Sequence, residues 1–263
     1  GKAQKGNREN AVIATKSSGP TYSPDELIQA CENSLKRLRT DYVDIYQLHW
    51  PRPDMADGDT IFEGVSKLIE SGKILHFSVC NFGVEDMKKI LLSGNICTNQ
   101  LNYSLLWRGI EFDLVPKCTE NEIGIFTYSS LVHGLLSGKY SSLEEFPKSR
   151  ARSLHFSSDR EEVRHNEPGQ EELTAKVLSQ IRSLCSEAGI NMVDAAFGWV
   201  IHQPQITSVL AGAGKPEQVT QNAAIGDMVF PDGFLYSLSE ATQPLKDAFG
   251  NQVDMWETPG RIK

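Results

Sequence analysis

The sequence predicts a parallel α/β fold, because short apolar runs alternate with amphipathic helical stretches along the chain. Its clearest strand is the run 42–48, which is rich in strand-forming side chains, too short for an independent helix, and stopped by Pro51. The chain has 263 residues, of which 40% are hydrophobic, enough to bury a substantial core. We therefore expect a sheet of parallel strands with helices between them.

Taken in order, an apolar run at 10–15 predicts the first strand, and a helix then opens at Ser23 with Pro24 in its first turn and Glu26 completing a capping box. Further strands are predicted over 42–48, 74–79, 98–102, 125–129 and 206–211. Further helices are predicted over 60–71, 84–92, 111–121, 170–188, 192–203, 216–225 and 238–249. The polar segment 141–169 is too long for an ordinary connection, so we expect it to be either functional or mobile.

Composition excludes several classes of function. The net charge of -8 argues against nucleic acid or an anionic membrane surface as partner, since both attract clustered basic side chains. Five cysteines without a Cys-x-x-Cys pair support neither a disulfide framework nor a zinc site, and indicate reduced thiols in the cytoplasm or a similar compartment. No apolar stretch is long enough to insert into a membrane.

His49 is the first candidate for chemistry, because it stands where the strand 42–48 gives way to a loop. Parallel α/β folds collect functional side chains at this end of their strands. A core histidine bonded to a neighbour is an equal alternative on this stretch alone.

Residues 32–51 closely resemble the aldo-keto reductase signature, a helix ending in Ser-Leu-x-Arg-Leu followed by Asp-Tyr-x-Asp-Leu-Tyr-x-x-His. The resemblance continues over 73–82, 99–103, 128–140 and 212–222, so it covers nearly the whole chain. It implies a (β/α)8 TIM-type barrel. Only six strands are predicted, so residues 1–263 would form a single barrel domain lacking its first two strand-helix units. A longer natural protein and a truncated product both remain open.

The family uses a catalytic tetrad of Asp, Tyr, Lys and His, in which the tyrosine is the general acid. In this resemblance Lys16 matches the lysine and His49 matches the histidine that orients the carbonyl. An ordinary solvated lysine is the alternative for Lys16. The aspartate and tyrosine have no counterpart here, and neither Tyr22 nor Tyr46 is a convincing substitute. On a strand of period two, Tyr46 points away from the face that carries His49.

The resemblance also implies a nicotinamide site at successive strand ends. The family's Gly-Val-Ser-Asn-Phe appears here as Ser-Val-Cys-Asn-Phe, so Cys80 and Asn81 would bind the carboxamide, with cysteine the poorer hydrogen-bonding group. Gln100 would also bind the carboxamide, and the Tyr128 ring would stack on the nicotinamide. Packing at strand ends is the alternative for Gln100 and Tyr128.

Residues 128–140 resemble the branch of the family that includes potassium-channel β subunits and bacterial and plant reductases. There the matching residues approach the pyrophosphate; here they are Ser129, Leu131 and Lys139. Arg150, in a Ser-Arg-Ala match, would clamp a phosphate. The spacing of the glycines between 134 and 138 differs from a P-loop, which argues against an ATPase.

Residues 212–222 resemble the family's Gly-Ala-Arg-x-Pro-Glu-Gln-x-x-x-Asn, in which a glycine turn feeds a helix N-terminus, a favourable place for phosphate. Gly212 belongs to the turn, and Gln218 and Asn222 would hold the adenine and its ribose. Gly214 replaces the family's arginine, which leaves Lys215 as the nearest cation. NADPH is expected over NADH because the family prefers it, and no Rossmann glycine motif is present.

The leading hypothesis is an NADP-dependent oxidoreductase that reduces aldehydes or ketones to alcohols. A weakly active or inactive NADP(H)-binding regulatory module, and a non-functional fragment of a reductase, are the alternatives. The partner expected is a small-molecule carbonyl compound, for which Trp50 and Trp107 are either pocket walls or packing. The identity of the substrate and the oligomeric state, homo-oligomers included, are left open.

Overall fold

The computed structural model describes residues 1–256 and 262, which form a parallel sheet and the helices that connect its strands. The strands follow chain order in one six-stranded sheet. They are β1 (Ala14–Ser17), β2 (Val43–Leu48), β3 (Ile74–Cys80), β4 (Thr98–Asn102), β5 (Gly124–Tyr128) and β6 (Ile206–Val209). The helices are α1 (Pro24–Leu38), α2 (Gly58–Glu70), α3 (Val84–Leu91), α4 (Leu114–Glu120), α5 (Glu171–Ala188), α6 (Met192–Ile201), α7 (Pro216–Ala224) and α8 (Phe234–Phe249). The predicted parallel α/β class is confirmed.

The largest differences from the predicted boundaries, four residues each, are at the starts of the first strand and the last helix. The first strand begins at Ala14 instead of residue 10, because residues 8–10 form a 3-10 turn and the carboxylate of Asp44 accepts the N–H of Ile13 at 2.8 Å. Arg8 reinforces this start by donating to the same carboxylate at 2.7 Å. Helix α8 begins at Phe234 rather than 238, and Phe234 extends its buried face by one turn.

The described residues fall into two compact units. The first holds Gly1–Gln100 and Lys117–Gly124, and the second holds Leu101–Pro116 and the described residues from 125 to 256. The expectation of one domain over 1–263 stays a prediction, and residues 257–261 and 263 lie outside the described residues.

In the first unit, α1 and α2 pack against each other over the strands. A Cβ on Gly64 would lie 2.8 Å from Cα of Pro24, so the glycine allows the two helices to approach closely. Ser23 caps α1 as predicted, and its side chain accepts the N–H of Glu26. The Glu26 carboxylate accepts from the backbone and hydroxyl of Thr21, at 3.2 and 2.9 Å. Capping by local side chains therefore fixes where α1 begins.

In the second unit, α5 packs on α8 and the segment 141–169 is well packed, although it has little regular structure. The segment buries residues at eight of its positions, which are Leu143, Phe146, Ala151, Ser153, Leu154, His155, Phe156 and His165. Trp107 is fully buried, and its ring packs against His155 and Phe249. Aromatic and aliphatic burial thus holds this long connection in place.

Candidate functional site

One face of the sheet in the first unit carries a row of polar side chains. Strand register pairs Lys16 with Gln47 and Gln47 with Ser78, and neighbours in register point to the same face. His49, just after β2, lies two residues beyond Gln47, and Cys80 in β3 lies two residues beyond Ser78. Because side chains on a strand alternate between its faces, His49 and Cys80 point to the same face as those residues. Gln100, paired with Cys80, joins the row from β4. The carboxyl ends of β1 to β4 therefore bring together the residues predicted here.

His49 is held at the end of β2 by its backbone and its ring. Its N–H donates to the carbonyl of Ser17 at 2.9 Å, and its Nδ1 lies 3.0 Å from the hydroxyl of Ser18. Burial lowers the pKa of His49, and the positive charges of Lys16 and Arg52 lower it further. The imidazole is therefore neutral at pH 7 and can share one hydrogen bond with a ligand through Nε2.

Asn81 and its neighbours form a rigid turn after β3. Asn81 has a left-handed φ of 62°, and its amide nitrogen donates to the carbonyl of His49 at 3.2 Å and to the sulfur of Cys80 at 3.1 Å. Its backbone N–H donates to the carbonyl of Gln100 at 2.9 Å. Burial raises the pKa of Cys80 to about 12, with Lys16 opposing, so the thiol stays protonated. The turn ties the ends of β2, β3 and β4 together.

Both tyrosines near the tetrad matches have structural roles. Tyr46 is fully buried and donates its hydroxyl to the carbonyl of Leu27 in α1 at 3.1 Å, on the face opposite His49 as predicted. Tyr22 donates to the carbonyl of Trp50 at 2.8 Å. The Tyr46 hydroxyl is therefore on the face opposite the polar row, and the Tyr22 hydroxyl is engaged by the backbone of Trp50.

In the second unit, the turn after β5 has unusual backbone geometry. Ser129, Val132 and His133 have φ values of 59°, 45° and 53°, and Gly134 reaches 107°. Non-glycine residues rarely adopt such angles, and a β-branched valine there is strained. The carbonyl of Leu131 accepts the N–H of Gly134 at 2.9 Å, which closes the turn. Strain of this kind is common at ligand sites.

A cavity of about 810 Å³ in the second unit brings five predicted cofactor residues together. They come from two separated stretches of sequence, 128–140 and 212–222, and are Leu131, Lys139, Gly212, Gln218 and Asn222. Polar side chains that the sequence analysis did not single out also line it, including Ser137, Asn191 and Asp194. A cavity of this size suits a nucleotide-sized ligand.

The N-terminus of α7 is capped from within. The side-chain oxygen of Gln218 accepts the backbone N–H groups of Gly214 and Lys215, at 2.7 and 3.1 Å. Asn222 donates weakly to the carbonyl of Gly212 at 3.5 Å. The oxygen of Gln218 is thus occupied, and its amide nitrogen remains for a ligand.

Tyr128 and Arg150 lie near an aromatic group that the sequence analysis missed. The rings of Tyr128 and Trp256 are nearly parallel, 12° apart, with centroids separated by 6.1 Å. The Trp256 indole donates to Nε2 of His133 at 3.0 Å, and Arg150 donates to the carbonyl of His133 at 3.4 Å. Nothing local in sequence links positions 128, 133 and 256, so no pattern could have revealed this contact.

Gln47 was also missed, although its signal was present. It lies two residues before His49, on the same face, and its side chain is fully buried. Its Nε2 donates to the carbonyl of Val79 at 3.4 Å, while its Oε1 has no hydrogen-bond partner among the described residues. An unpaired buried acceptor beside Lys16 in the register is a polar group available to the site.

Other classes of site have no support in the described part of the chain. It holds no group of three or more His, Cys, Asp or Glu side chains that could bind a metal ion. No helix among the residues described has the length and apolar character needed to cross a membrane.

Sequence relatives match the chain over most of its length. Aldo-keto reductase YhdN of Bacillus subtilis is 32% identical over 234 residues, covering 83% of this chain and 67% of that protein. Protein tas of Escherichia coli is 32% identical over 256 residues, covering 84% of this chain and 71% of that protein. The NADH-specific methylglyoxal reductase of Escherichia coli is 29% identical, covering 85% of this chain and 66% of that protein. The chain thus spans roughly two thirds of these relatives' length.

Solved structures of aldo-keto reductases also resemble this chain. The aldo-keto reductase from Klebsiella pneumoniae in complex with NADPH superposes with a TM-score of 0.68 at 27% identity, covering 100% of this chain and 76% of its own. The Bacillus halodurans aldo-keto reductase AKR11C1 has a TM-score of 0.73 at 23% identity, covering 93% and 75%, which supports the fold alone. The model of the Aldo/keto reductase family matches residues 1–242, so this chain belongs to the aldo/keto reductase family.

Proposed function

We propose that this chain carries an NADP(H)-dependent carbonyl reductase site that reduces aldehydes or ketones to alcohols by hydride transfer. The observation that carries the proposal is the cavity of about 810 Å³, where five residues predicted from separate motifs meet. Membership of the family supports a nicotinamide cofactor. The more specific likeness to the branch with potassium-channel β subunits stays a prediction.

The cavity residues fit a phosphorylated nucleotide. Lys139 supplies a cation, and the N-terminal end of α7 supplies a positive dipole. Gln218 has a free amide nitrogen and Asn222 a carbonyl and an amide, which suit the polar edge of adenine and a ribose hydroxyl. We propose that Gly212 allows the backbone to approach the ligand, and that Ser129, Leu131 and Arg150 belong to the pyrophosphate side.

NADPH is the proposed cofactor over NADH. Lys215, exposed beside Gly214, is the cation proposed for the 2′-phosphate. The Klebsiella relative in complex with NADPH supports this choice, whereas the relative named NADH-specific methylglyoxal reductase supports the other. A direct comparison of the two cofactors decides between them.

A nicotinamide, when bound, supplies hydride to the carbonyl carbon. The chain's own residues would hold and orient the reactants. In the first unit, Cys80, Asn81 and Gln100 are proposed to bind the carboxamide. In the second unit, the ring of Tyr128 is proposed to stack on a nicotinamide. The neutral His49 would donate one hydrogen bond from Nε2 to the carbonyl oxygen, with its Nδ1 accepting from Ser18, while Lys16 places positive charge beside it. A small-molecule carbonyl substrate belongs to the same proposal.

A second candidate is an NADP(H)-binding module with little or no turnover. It is favoured by Tyr22 and Tyr46, the tyrosines nearest to the tetrad matches in sequence, whose hydroxyls both donate to backbone carbonyls. A cytoplasmic setting is proposed in either case, because all five cysteines are free thiols.

Fluorescence titration with NADPH and NADH tests the proposal, followed by assays on a panel of aldehydes and ketones. We expect saturable binding that favours NADPH. Lys139→Gln should weaken NADPH binding about tenfold, the loss of one charge-assisted contact. Lys176→Gln, which removes the same charge from an exposed position on α5 outside this cavity, should leave binding unchanged.

The outcomes separate the two candidates. Binding with carbonyl reduction supports the reductase, and binding without turnover on any carbonyl supports the module. If neither cofactor binds a folded chain, both are wrong. An equal effect of Lys139→Gln and Lys176→Gln would mean that the cavity is not the cofactor site.

A further inference from the structure

Three arginines of the second unit, Arg150, Arg152 and Arg164, are joined by backbone hydrogen bonds, and Arg150 contacts His133. Arg150 donates to the carbonyl of His133 at 3.4 Å, and the backbone N–H of Arg164 donates to the carbonyl of Arg152 at 3.2 Å, which places those two residues side by side. Partial removal from water lowers the pKa of His133, and the charges of Arg150, Arg152 and Arg164 lower it further. In a chain of net charge -8, this concentration of positive charge is unusual.

The charge of this cluster is poorly neutralised by the protein itself. Arg152 and Glu162 approach only to 3.8 Å, and both side chains are more than a third exposed, so their pairing is weak. The Nε atom of Arg152 is buried and has no hydrogen-bond partner among the described residues. A buried donor of this kind is costly unless a ligand or water accepts from it.

A short path of contacts joins the cluster to the candidate nicotinamide ring face. The indole of Trp256 stacks on Tyr128 and donates to Nε2 of His133 at 3.0 Å, and His133 in turn contacts Arg150. Trp256 is held in this position because the carbonyl of its fully buried neighbour Met255 accepts the N–H of Leu154 at 2.9 Å. The path from Tyr128 therefore runs through the rings of Trp256 and His133 to Arg150, and the N–H of Arg152 donates to the Arg150 carbonyl at 2.9 Å.

We propose that Arg152 and Arg164 form a subsite for an anionic group, so that the preferred substrates are carbonyl compounds carrying a carboxylate or phosphate. Guanidinium groups bind both anions through paired N–H donors. The proposal rests on the reductase site proposed above, and it names the substrate class of that site. Arg150 remains assigned to the cofactor.

Isothermal titration calorimetry with 4-formylbenzoate and its neutral methyl ester tests this subsite. Both ligands are titrated into the apo chain and into the chain saturated with NADP+, which cannot reduce them. We expect the acid to bind at least about tenfold more tightly than the ester. Arg152→Gln and Arg164→Gln should each remove most of this difference without changing the affinity for the ester.

Two further variants sharpen the test. Arg152→Lys keeps the charge but loses the paired donors, and should recover only part of the preference for the acid. Arg37→Gln makes the same charge change in the first unit and should leave the preference intact. Far-UV circular dichroism spectra equal to that of the wild type show that the variants are folded. If Arg152→Gln does not fold, Arg164→Gln alone carries the test.

The outcomes distinguish this proposal from failure of the proposed function. An arginine-dependent preference for the acid in the apo chain supports the subsite even if NADP+ fails to bind. Equal affinities of acid and ester, or variants without effect, overturn it. If Arg152→Gln and Arg164→Gln weaken NADP+ and spare the acid, the cluster binds the cofactor's phosphates and the substrate assignment is wrong.

Discussion

The two units position their candidate residues by different means. In the first unit, Lys16, His49, Cys80 and Gln100 share a face because parallel strands lie in register and side chains alternate. In the second unit, Leu131 and Lys139 reach the cavity through a turn in which Val132 and other residues have positive φ. The first arrangement is made by regular backbone, the second by irregular backbone.

This difference determines which residues can be substituted without loss of stability or ligand binding. The position of a strand-end residue is set by the backbone hydrogen bonds of the whole sheet. Its side chain can therefore be substituted while its backbone stays in place. A turn residue is placed by its own backbone angles and by the few side chains that hold the turn. We therefore expect the second unit to be the more sensitive to local changes, and three experiments examine that expectation.

Acidification should have the largest effect, through the buried His155. Its Nε2 donates to the carbonyl of Leu106 and its Nδ1 accepts from Ser153, both at 2.9 Å, so it anchors the segment 141–169 in its neutral form. Burial lowers its pKa from 6.5 to about 4. The unfolded chain therefore binds the proton first, and the stabilisation that is complete above pH 6.5 is lost as the pH falls towards 4.

This loss amounts to about 3 kcal/mol of unfolding free energy. Urea unfolding between pH 4 and 7.5 measures it. His155→Gln should flatten that dependence, whereas the same change at the exposed His76 of the first unit should not. A wild-type protein with constant stability over this range would show that His155 is not the anchor.

Gly134→Ala should have the next largest effect. The glycine has a φ of 107°, which alanine adopts only with strain, and we expect a loss of about 1–3 kcal/mol in unfolding free energy with weaker NADPH binding. Gly226→Ala is the matched control, because Gly226 has no positive φ and its Cβ would meet open space. Equal urea midpoints for both variants would contradict the view that the turn's geometry matters.

Sequence reasoning succeeded where local pattern determines structure. Period two placed Tyr46 and His49 on opposite faces, and the N-cap at Ser23 fixed the start of α1. It failed where a side chain distant in sequence determines the local structure. Asp44 shortens β1 by accepting the N–H of Ile13. Trp256 packs on the ring of Tyr128, 128 positions earlier in the chain.

The cavity shows the same limit in the candidate site. Gly212, Gln218 and Asn222 lie within eleven residues of sequence, so a motif could group them. Leu131 and Lys139 line the same cavity as these three residues. This follows only from the path that the chain takes between residues 140 and 212. The family resemblance supplied that link, because no composition or spacing contains it.

Cys80→Ser should have the smallest effect and tests the first unit. The serine hydroxyl is the better hydrogen-bonding group, and it can accept from the amide of Asn81 as the sulfur now does at 3.1 Å. Because the ladder fixes this position, we expect unfolding free energy to change by less than about 1 kcal/mol and NADPH affinity to rise by less than about fivefold.

Cys118→Ser is the contrasting control for that variant. Its thiol is equally buried but faces the sulfur of Met87 at 3.9 Å, so a hydroxyl there would lose hydration without a good partner, costing about 1–3 kcal/mol. Calorimetric melting and NADPH titration of both variants make the comparison. If Cys80→Ser proved as destabilising as Cys118→Ser, strand register alone would not make the first unit tolerant, and the proposed contrast between the two units would fail.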